Sequence, residues 1–161
     1  MANAVMPGGP TAGMRRDVAA FDVFAPVYDR LMWSADETAL RKGLSCAERD
    51  VDRCVEVGGG SGRAAQSVDA VLVVDAFHHF ADHEAALSEA ARVLAPGGVV
   101  VICEFDRSTL RGRWLARGER LVGFDSRFFT AAELEAAIDR AGLDARPVEY
   151  GFGMTVVGVA G

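Results

Sequence analysis

Apolar positions along this chain switch between two periods, and the switches mark its elements. Phe21, Phe24, Val27, Tyr28 and Leu31 recur at helical spacing, with Pro26 placed to break or kink that helix. Ala35–Glu48 reads as a second, amphipathic helix. Arg53–Val57 and Ala70–Val74 read as strands, and the latter is apolar on both faces, the pattern of a buried parallel sheet. The spacing then predicts a helix over His83–Leu94, with Leu87, Ala90, Ala91 and Leu94 on one face. Pro96-Gly97-Gly98 stops it, and Val99–Cys103 forms a third strand, again without alternation. Leu110–Leu121 reads as helical. Thr130 and Glu133 make a capping box for the next helix, which Gly142 closes. Pro147–Tyr150 and Met154–Val159 flank Gly151-Phe152-Gly153 as a hairpin-like ending. The order β-α-β-α-β followed by a hairpin belongs to the α/β class.

Composition narrows the picture. A chain of 161 residues, half of them hydrophobic, can bury a core as one domain over 18–161, preceded by a flexible tail over 1–17. The net charge of −6 argues against nucleic acid as a partner, because phosphate neutralisation needs a basic face. No stretch approaches the roughly 18–20 apolar residues of a membrane span. Residues 1–16 lack the apolar segment of a signal peptide. Cys46, Cys54 and Cys103 are odd in number and lack CxxC spacing, so Cys54 and Cys103 are expected as small buried hydrophobes in a reduced, cytoplasmic protein.

The most informative stretch is Val55-Glu-Val-Gly-Gly-Gly-Ser-Gly62, a strand end followed by glycines at 58, 60 and 62. Without a Cβ, such a loop turns sharply and lets a ligand lie against its backbone. A dinucleotide fingerprint needs glycine where Arg63 stands, which disfavours a nicotinamide-dependent reductase. Glu56–Gly62 resembles the first motif of class I S-adenosylmethionine-dependent methyltransferases. Asp69-Ala-Val-Leu-Val-Val-Asp-Ala-Phe-His-His-Phe80 resembles that family's fourth strand and exit loop. Leu94-Ala-Pro-Gly-Gly98 with Val99–Glu104 resembles the turn into its fifth strand. Phe128–Leu134 with Ala141-Gly142-Leu143 resembles the helix before its terminal hairpin. Phe24-Ala-Pro-Val-Tyr-Asp29 resembles the N-terminal segment of the ubiquinone and menaquinone methyltransferase branch. The resemblance runs over residues 20–160 and implies a Rossmann-like sheet, S-adenosylmethionine as cofactor, and a small hydrophobic or quinone-like acceptor.

One part of the family pattern is missing. Only Arg63-Ala-Ala-Gln-Ser67 separates the glycine loop from the match to the fourth strand, and a βαβ unit takes about 30 residues or more. The expected fold is therefore a shortened sheet of about five strands, mostly parallel, with an antiparallel C-terminal hairpin. In the family, an acidic residue at the end of the absent second strand holds the ribose hydroxyls. Losing two charge-assisted hydrogen bonds would weaken binding roughly a hundredfold to ten-thousandfold. The first strand would also be left as an open edge. Three readings stay open: the segment belongs to the protein but not to this sequence, the chain is a shortened relative, or a partner chain or swapped element completes the sheet as an oligomer.

By resemblance, Tyr28, Glu56, Gly58, Gly60 and Asp75 are the cofactor-binding candidates. His78 and His79 are the catalytic candidates, one of them serving as a base toward the acceptor. His79 and His83 have the spacing of a helical metal pair, but no cluster of cysteine or glutamate accompanies them, and no metal is expected. Arg107, Arg111, Arg113, Arg117 and Arg120 interleave with Leu110, Trp114, Leu115 and Leu121. They read as an exposed helix whose apolar side covers the active site, as an interfacial helix over 107–121 that meets an anionic membrane surface or a lipid-like substrate, or as a site for a small anionic substrate. Methyl transfer is the leading function. The rival is a degenerate, non-catalytic module that binds a partner through its shortened sheet.

Overall fold

The computed structural model describes residues 37–57, 65–122 and 126–161. The tail over 1–17, the helix expected around Phe21–Leu31, and Tyr28, Gly58 and Gly60 lie outside the described residues. The elements run α1 (Glu37–Leu44), β1 (Cys54–Glu56), β2 (Val68–Val74), a single 3-10 turn (Phe77–His79), α2 (His83–Val93), β3 (Leu94–Phe105), α3 (Leu110–Val122), α4 (Ala131–Arg140), β4 (Asp144–Glu149) and β5 (Gly153–Val159).

The strands form one five-stranded sheet in the order β1-β2-β3-β5-β4. β1, β2 and β3 run parallel, while β5 is antiparallel to both β3 and β4. A mostly parallel sheet with a C-terminal antiparallel hairpin is thus what the apolar runs foretold. β3 lies at the centre, and Val99 through Cys103 are completely buried. Its side chains alternate between two cores, because successive Cβ atoms leave opposite faces of a strand. On one face, Val100 and Ile102 pack with Val71, Val73 and Val156 beneath α2 and α4. On the other, Val99, Val101 and Cys103 pack with Ala70 and Val157 beneath Leu40 and Leu44 of α1.

Local chemistry sets the ends of the helices. Asp82 caps α2 by accepting from the Ala85 N–H at 2.9 Å. The foreseen capping box of α4 is present: the Glu133 N–H donates to Thr130 Oγ1 at 3.2 Å, and the Thr130 N–H donates to Glu133 Oε2 at 2.8 Å. Arg107 closes on the same carboxylate, and its hydrogen bond holds the Glu133 pKa down at about 2. At the other end Gly142 takes the left-handed conformation, φ +84°, that ends the helix.

Three expectations are corrected. β3 begins at Leu94 rather than Val99, so Pro96-Gly97-Gly98 lies inside the strand. The register against β2 shifts between Val68 and Ala70 to absorb it. Cys54 is exposed rather than buried, because β1 is only three residues long and, among the described residues, no strand covers its outer side. Cys103 is buried as foreseen. Leu110, Trp114 and Leu121 of α3 point outward, with exposures of 76, 73 and 88 %, so they do not cover a site.

β1 is anchored by one buried acid. Asp69 accepts from the Arg53 N–H at 2.8 Å and the Asp52 N–H at 3.2 Å, and its carboxylate pairs with Arg49 and Arg53. The hydrogen bonds and charges of these groups, Arg53 first, lower its pKa. The chain returning into β2 is tied to the end of α2, with Gln66 and Ser67 N–H groups donating to the Arg92 and Val93 carbonyls at 3.0 and 2.8 Å.

The packing predicts a contrast between two glycines. A Cβ at Gly158 would meet Ile138 Cγ2 at 2.5 Å, whereas a Cβ at Gly118 meets nothing within 4 Å. Urea unfolding should show Gly158→Ala destabilised by about 1–3 kcal/mol. Gly118→Ala, inside α3, should be unchanged or stabilised by up to about 1 kcal/mol.

Candidate active site at the carboxyl ends of the parallel strands

Because β1, β2 and β3 run the same way, their carboxyl ends share one rim of the sheet, the place where open α/β sheets bind ligands. Glu56 ends β1, exposed, with its strand in register against β2 through the Glu56–Leu72 pairing. Asp75 follows β2 directly. Its N–H donates to the Cys103 carbonyl at 2.9 Å, and its backbone is left-handed, φ +47°. Such a conformation is uncommon without glycine, and aspartate tolerates it better than most residues. It swings the chain out of the strand and into the Phe77–His79 turn. Phe77 anchors that turn in the core against Phe80, His83 and Phe129, at ring distances of 5.5, 5.0 and 5.3 Å.

The turn buries His78 against Glu104, the last acidic residue of β3. His78 Nδ1 lies 2.8 Å from Glu104 Oε2, and the His78 N–H donates to Oε1 at 3.2 Å. Side-chain exposures are 1 and 2 %, so this is a buried pair with every carboxylate oxygen engaged. Phe128 stacks on the imidazole at 4.6 Å, and the His78 carbonyl accepts from the Arg127 N–H at 3.0 Å. Burial alone would depress the His78 pKa. The hydrogen bond and charge of Glu104 outweigh it, helped by Glu119 and Asp75, and the pKa is raised. His79 is exposed and its ring packs on His78 at 3.9 Å, with Nδ1 3.2 Å from Ser126 Oγ. Partial desolvation, then the charge of His78, lower its pKa.

The structure therefore brings Asp75, His78 and Glu104 into one cluster, with donor atoms within 4.8 Å of one another, and does the same for His78, His79 and Glu119. It separates His83, the third histidine of the sequence cluster. That ring, half-buried, packs on Phe77 and Phe129, and burial and then Arg127 lower its pKa. Glu104 and Glu119 were not singled out from the sequence. Glu104 was visible as the one acid ending an otherwise apolar strand. Nothing local marks Glu119, which reaches the histidines only through the placement of α3.

Comparison with known proteins agrees with this architecture. Residues 47–102 match the family model described as a methyltransferase domain. A demethylmenaquinone methyltransferase from Mycobacterium sp. (strain KMS) is 36 % identical over 117 residues, covering 63 % of this chain and 49 % of that protein. The corresponding enzyme of Thermus thermophilus is 57 % identical over 37 residues, 23 % of this chain and 17 % of that protein. The chain thus spans about half the length, or less, of these curated relatives. Among solved structures, a SAM-dependent methyltransferase from Thermotoga maritima superposes with a TM-score of 0.66 at 20 % identity, over 89 % of this chain and 99 % of that one. A chain from the complex of the Haloferax volcanii Trm112 methyltransferase activator with a methyltransferase superposes with a TM-score of 0.64 at 15 % identity, over 90 and 97 %. The chain has the Rossmann-like fold of the class I S-adenosylmethionine-dependent methyltransferases. Its matched sequence relatives are demethylmenaquinone methyltransferases.

The His78–Glu104 pair makes a pH-dependent prediction. A histidine pKa raised by folding adds stability that is fully present below the unfolded value of about 6.5 and is lost as pH rises through the folded pKa. Glu104→Gln should therefore lower the His78 pKa seen by imidazole NMR titration. The stability gap between wild type and variant should be widest in mild acid and should narrow above the folded pKa.

Proposed function

We propose that the protein transfers a methyl group from S-adenosylmethionine to a small hydrophobic, quinone-like acceptor. The observation that supports this most is the convergence of Glu56, Asp75, His78 and Glu104 on the carboxyl rim of a class I methyltransferase sheet. The methyltransferase-domain match over 47–102 and the demethylmenaquinone methyltransferase relatives point the same way.

The described residues fit one end of the cofactor. Glu56 and Asp75 end adjacent strands and offer carboxylates suited to its amino-acid end. Gly58, Gly60 and Tyr28, which the family resemblance adds to that end, lie outside the described residues. The ribose has no acidic partner from a strand beyond β1 among the described residues, so the fit is to the methionine half. When bound, the sulfonium supplies an electrophilic methyl group. This chain's own residues have to align the acceptor with it, and positioning of this kind is worth about 7–11 kcal/mol.

His79 is the base. Its lowered pKa keeps the imidazole neutral near neutral pH, and it faces solvent where an acceptor hydroxyl can reach it. His78 is a positioning residue: clamped by Glu104 and stacked on Phe128, it fixes the turn that carries His79. The proposed chemistry uses no metal; Asp75, His78 and Glu104, or His78, His79 and Glu119, are the described residues close enough together to share an ion. The rival reading, a non-catalytic module that binds a partner through its sheet, draws on the outer edge of β1, which no strand covers among the described residues.

Calorimetric titration should detect S-adenosylmethionine, with Asp75→Asn and Glu56→Gln each weakening binding roughly tenfold to a hundredfold. Absence of heat at millimolar ligand would leave only the non-catalytic reading. With a short-chain naphthoquinol as acceptor, His79→Asn should lower kcat by about a hundredfold to ten-thousandfold while binding of the methyl donor is kept. The acid limb of the wild-type profile should lie below the ordinary histidine pKa, since His79 must be deprotonated to act.

A further inference from the structure

Helix α3 is amphipathic the wrong way round for a helix that only packs on its own domain. At about 100° per residue, Leu110, Trp114 and Leu121 fall within about 40° of one another and form one stripe. That stripe is the exposed one, with exposures of 76, 73 and 88 %. The opposite face carries Gly112, which is buried so close to the Asp106 carbonyl that a Cβ would collide with it, and Glu119, which reaches His78 and His79. The glycine lets the helix start sit flush on the domain and so fixes the direction of the stripe. Arg113, Arg117 and Arg120 flank the stripe on one side, and all three are exposed. On its other flank Arg111 lies over the Phe152 ring at 4.3 Å. Residues 107–121 carry five arginines and one glutamate in a chain whose net charge is −6.

We propose that α3 is an interfacial helix that docks on an anionic lipid bilayer. Leu110, Trp114 and Leu121 enter the boundary between headgroups and acyl chains, and the flanking arginines meet the lipid phosphates. Each part of the observation has a counterpart in that surface. An exposed Leu-Trp-Leu stripe is costly in water but suits the headgroup boundary, where an indole keeps its N–H wet and its ring dry. Guanidinium groups suit phosphate oxygens, and their concentration on one helix of an acidic chain orients the molecule toward a negative surface. The docked helix has its inner face on the histidine cluster, so the candidate site opens beside the membrane boundary. Docking needs no methyl transfer; only the delivery of a lipid-dissolved acceptor to the site rests on the function proposed above.

Vesicle co-sedimentation tests this directly, using phosphatidylcholine vesicles with and without about a third phosphatidylglycerol. The wild-type chain should partition at least about tenfold more strongly to the anionic vesicles and lose that preference as salt rises. Arg113→Gln/Arg117→Gln/Arg120→Gln should weaken partitioning roughly a hundredfold, at about fivefold for each arginine near the surface. Leu110→Ser/Trp114→Ser/Leu121→Ser should abolish it while keeping the wild-type melting transition, since these side chains are exposed. In a Trp33→Phe background, Trp114 emission should move to the blue when anionic vesicles are added. Equal binding to both vesicles, or none, overturns the proposal. So does a dimer in sedimentation analysis that the apolar triple variant dissolves without any vesicle binding, because the stripe would then join two copies of the chain. A chain that binds vesicles but fails to methylate a soluble naphthoquinol loses the enzyme reading alone. One that methylates the soluble acceptor but ignores vesicles loses the docking alone.

Discussion

A carboxylate buried at the end of the central strand has to be neutralised, and the rim of this sheet is arranged around that requirement. Isolated in the interior, an ionised Glu104 would carry a desolvation penalty of several kcal/mol. Its oxygens are met by the ring and the backbone N–H of one residue, His78, which can supply both only if the chain leaves β2 sharply and curls into a short turn. The left-handed Asp75 makes that exit, and Phe77 locks the turn into the core. The exposed His79 is carried along as the next residue, held against its neighbour's ring. The pairing thus ties the fold to the chemistry: breaking it would leave a buried charge unpaired and release the turn that presents the candidate base.

The other end of the sheet shows how a short crossover is tolerated. β1 has three residues and, among the described residues, one neighbouring strand, too little pairing to hold itself. Asp69 compensates by gathering two backbone N–H groups and two arginines at the point where β1 begins. Among the described residues no strand pairs with the outer edge of β1, which carries an exposed thiol, Cys54, whose pKa is raised by partial burial and by Glu56. A thiol held protonated in this way is a poor nucleophile, so the edge offers hydrogen-bonding groups more than reactivity.

α3 carries opposite chemistry on its two faces. Its inner side brings Glu119 to the histidines, and its outer side holds an apolar stripe among arginines. The same helix therefore belongs both to the candidate site and to the surface, so whatever meets its outer face lies within one helix diameter, about 10–12 Å, of the histidine cluster.

Much of this was legible in the order of residues. Apolar runs without alternation at 70–74 and 99–103 announced strands buried on both faces. The Thr130–Glu133 box and Gly142 marked both ends of α4, because caps are local hydrogen-bonding problems with few solutions. The resemblance of Asp69–Phe80 to a family strand and its exit loop marks Asp75, His78 and His79 as candidates, and the structure sets all three at the end of β2. What local sequence could not decide was partnership across the chain. The exposure of Cys54 depends on which strand lies beyond β1, the start of β3 depends on a register shift against β2, and the outward stripe of α3 depends on a close approach at Gly112. Glu104 and Glu119 joined the site for the same reason: they lie 26 residues or more along the chain from His78, and only the parallel sheet and the helix packed beside it bring their carboxylates to one imidazole. Periodicity and caps act over a few residues, so the sequence alone determined the elements. The pairing of buried charges acts across the fold, so only the tertiary structure decided the site.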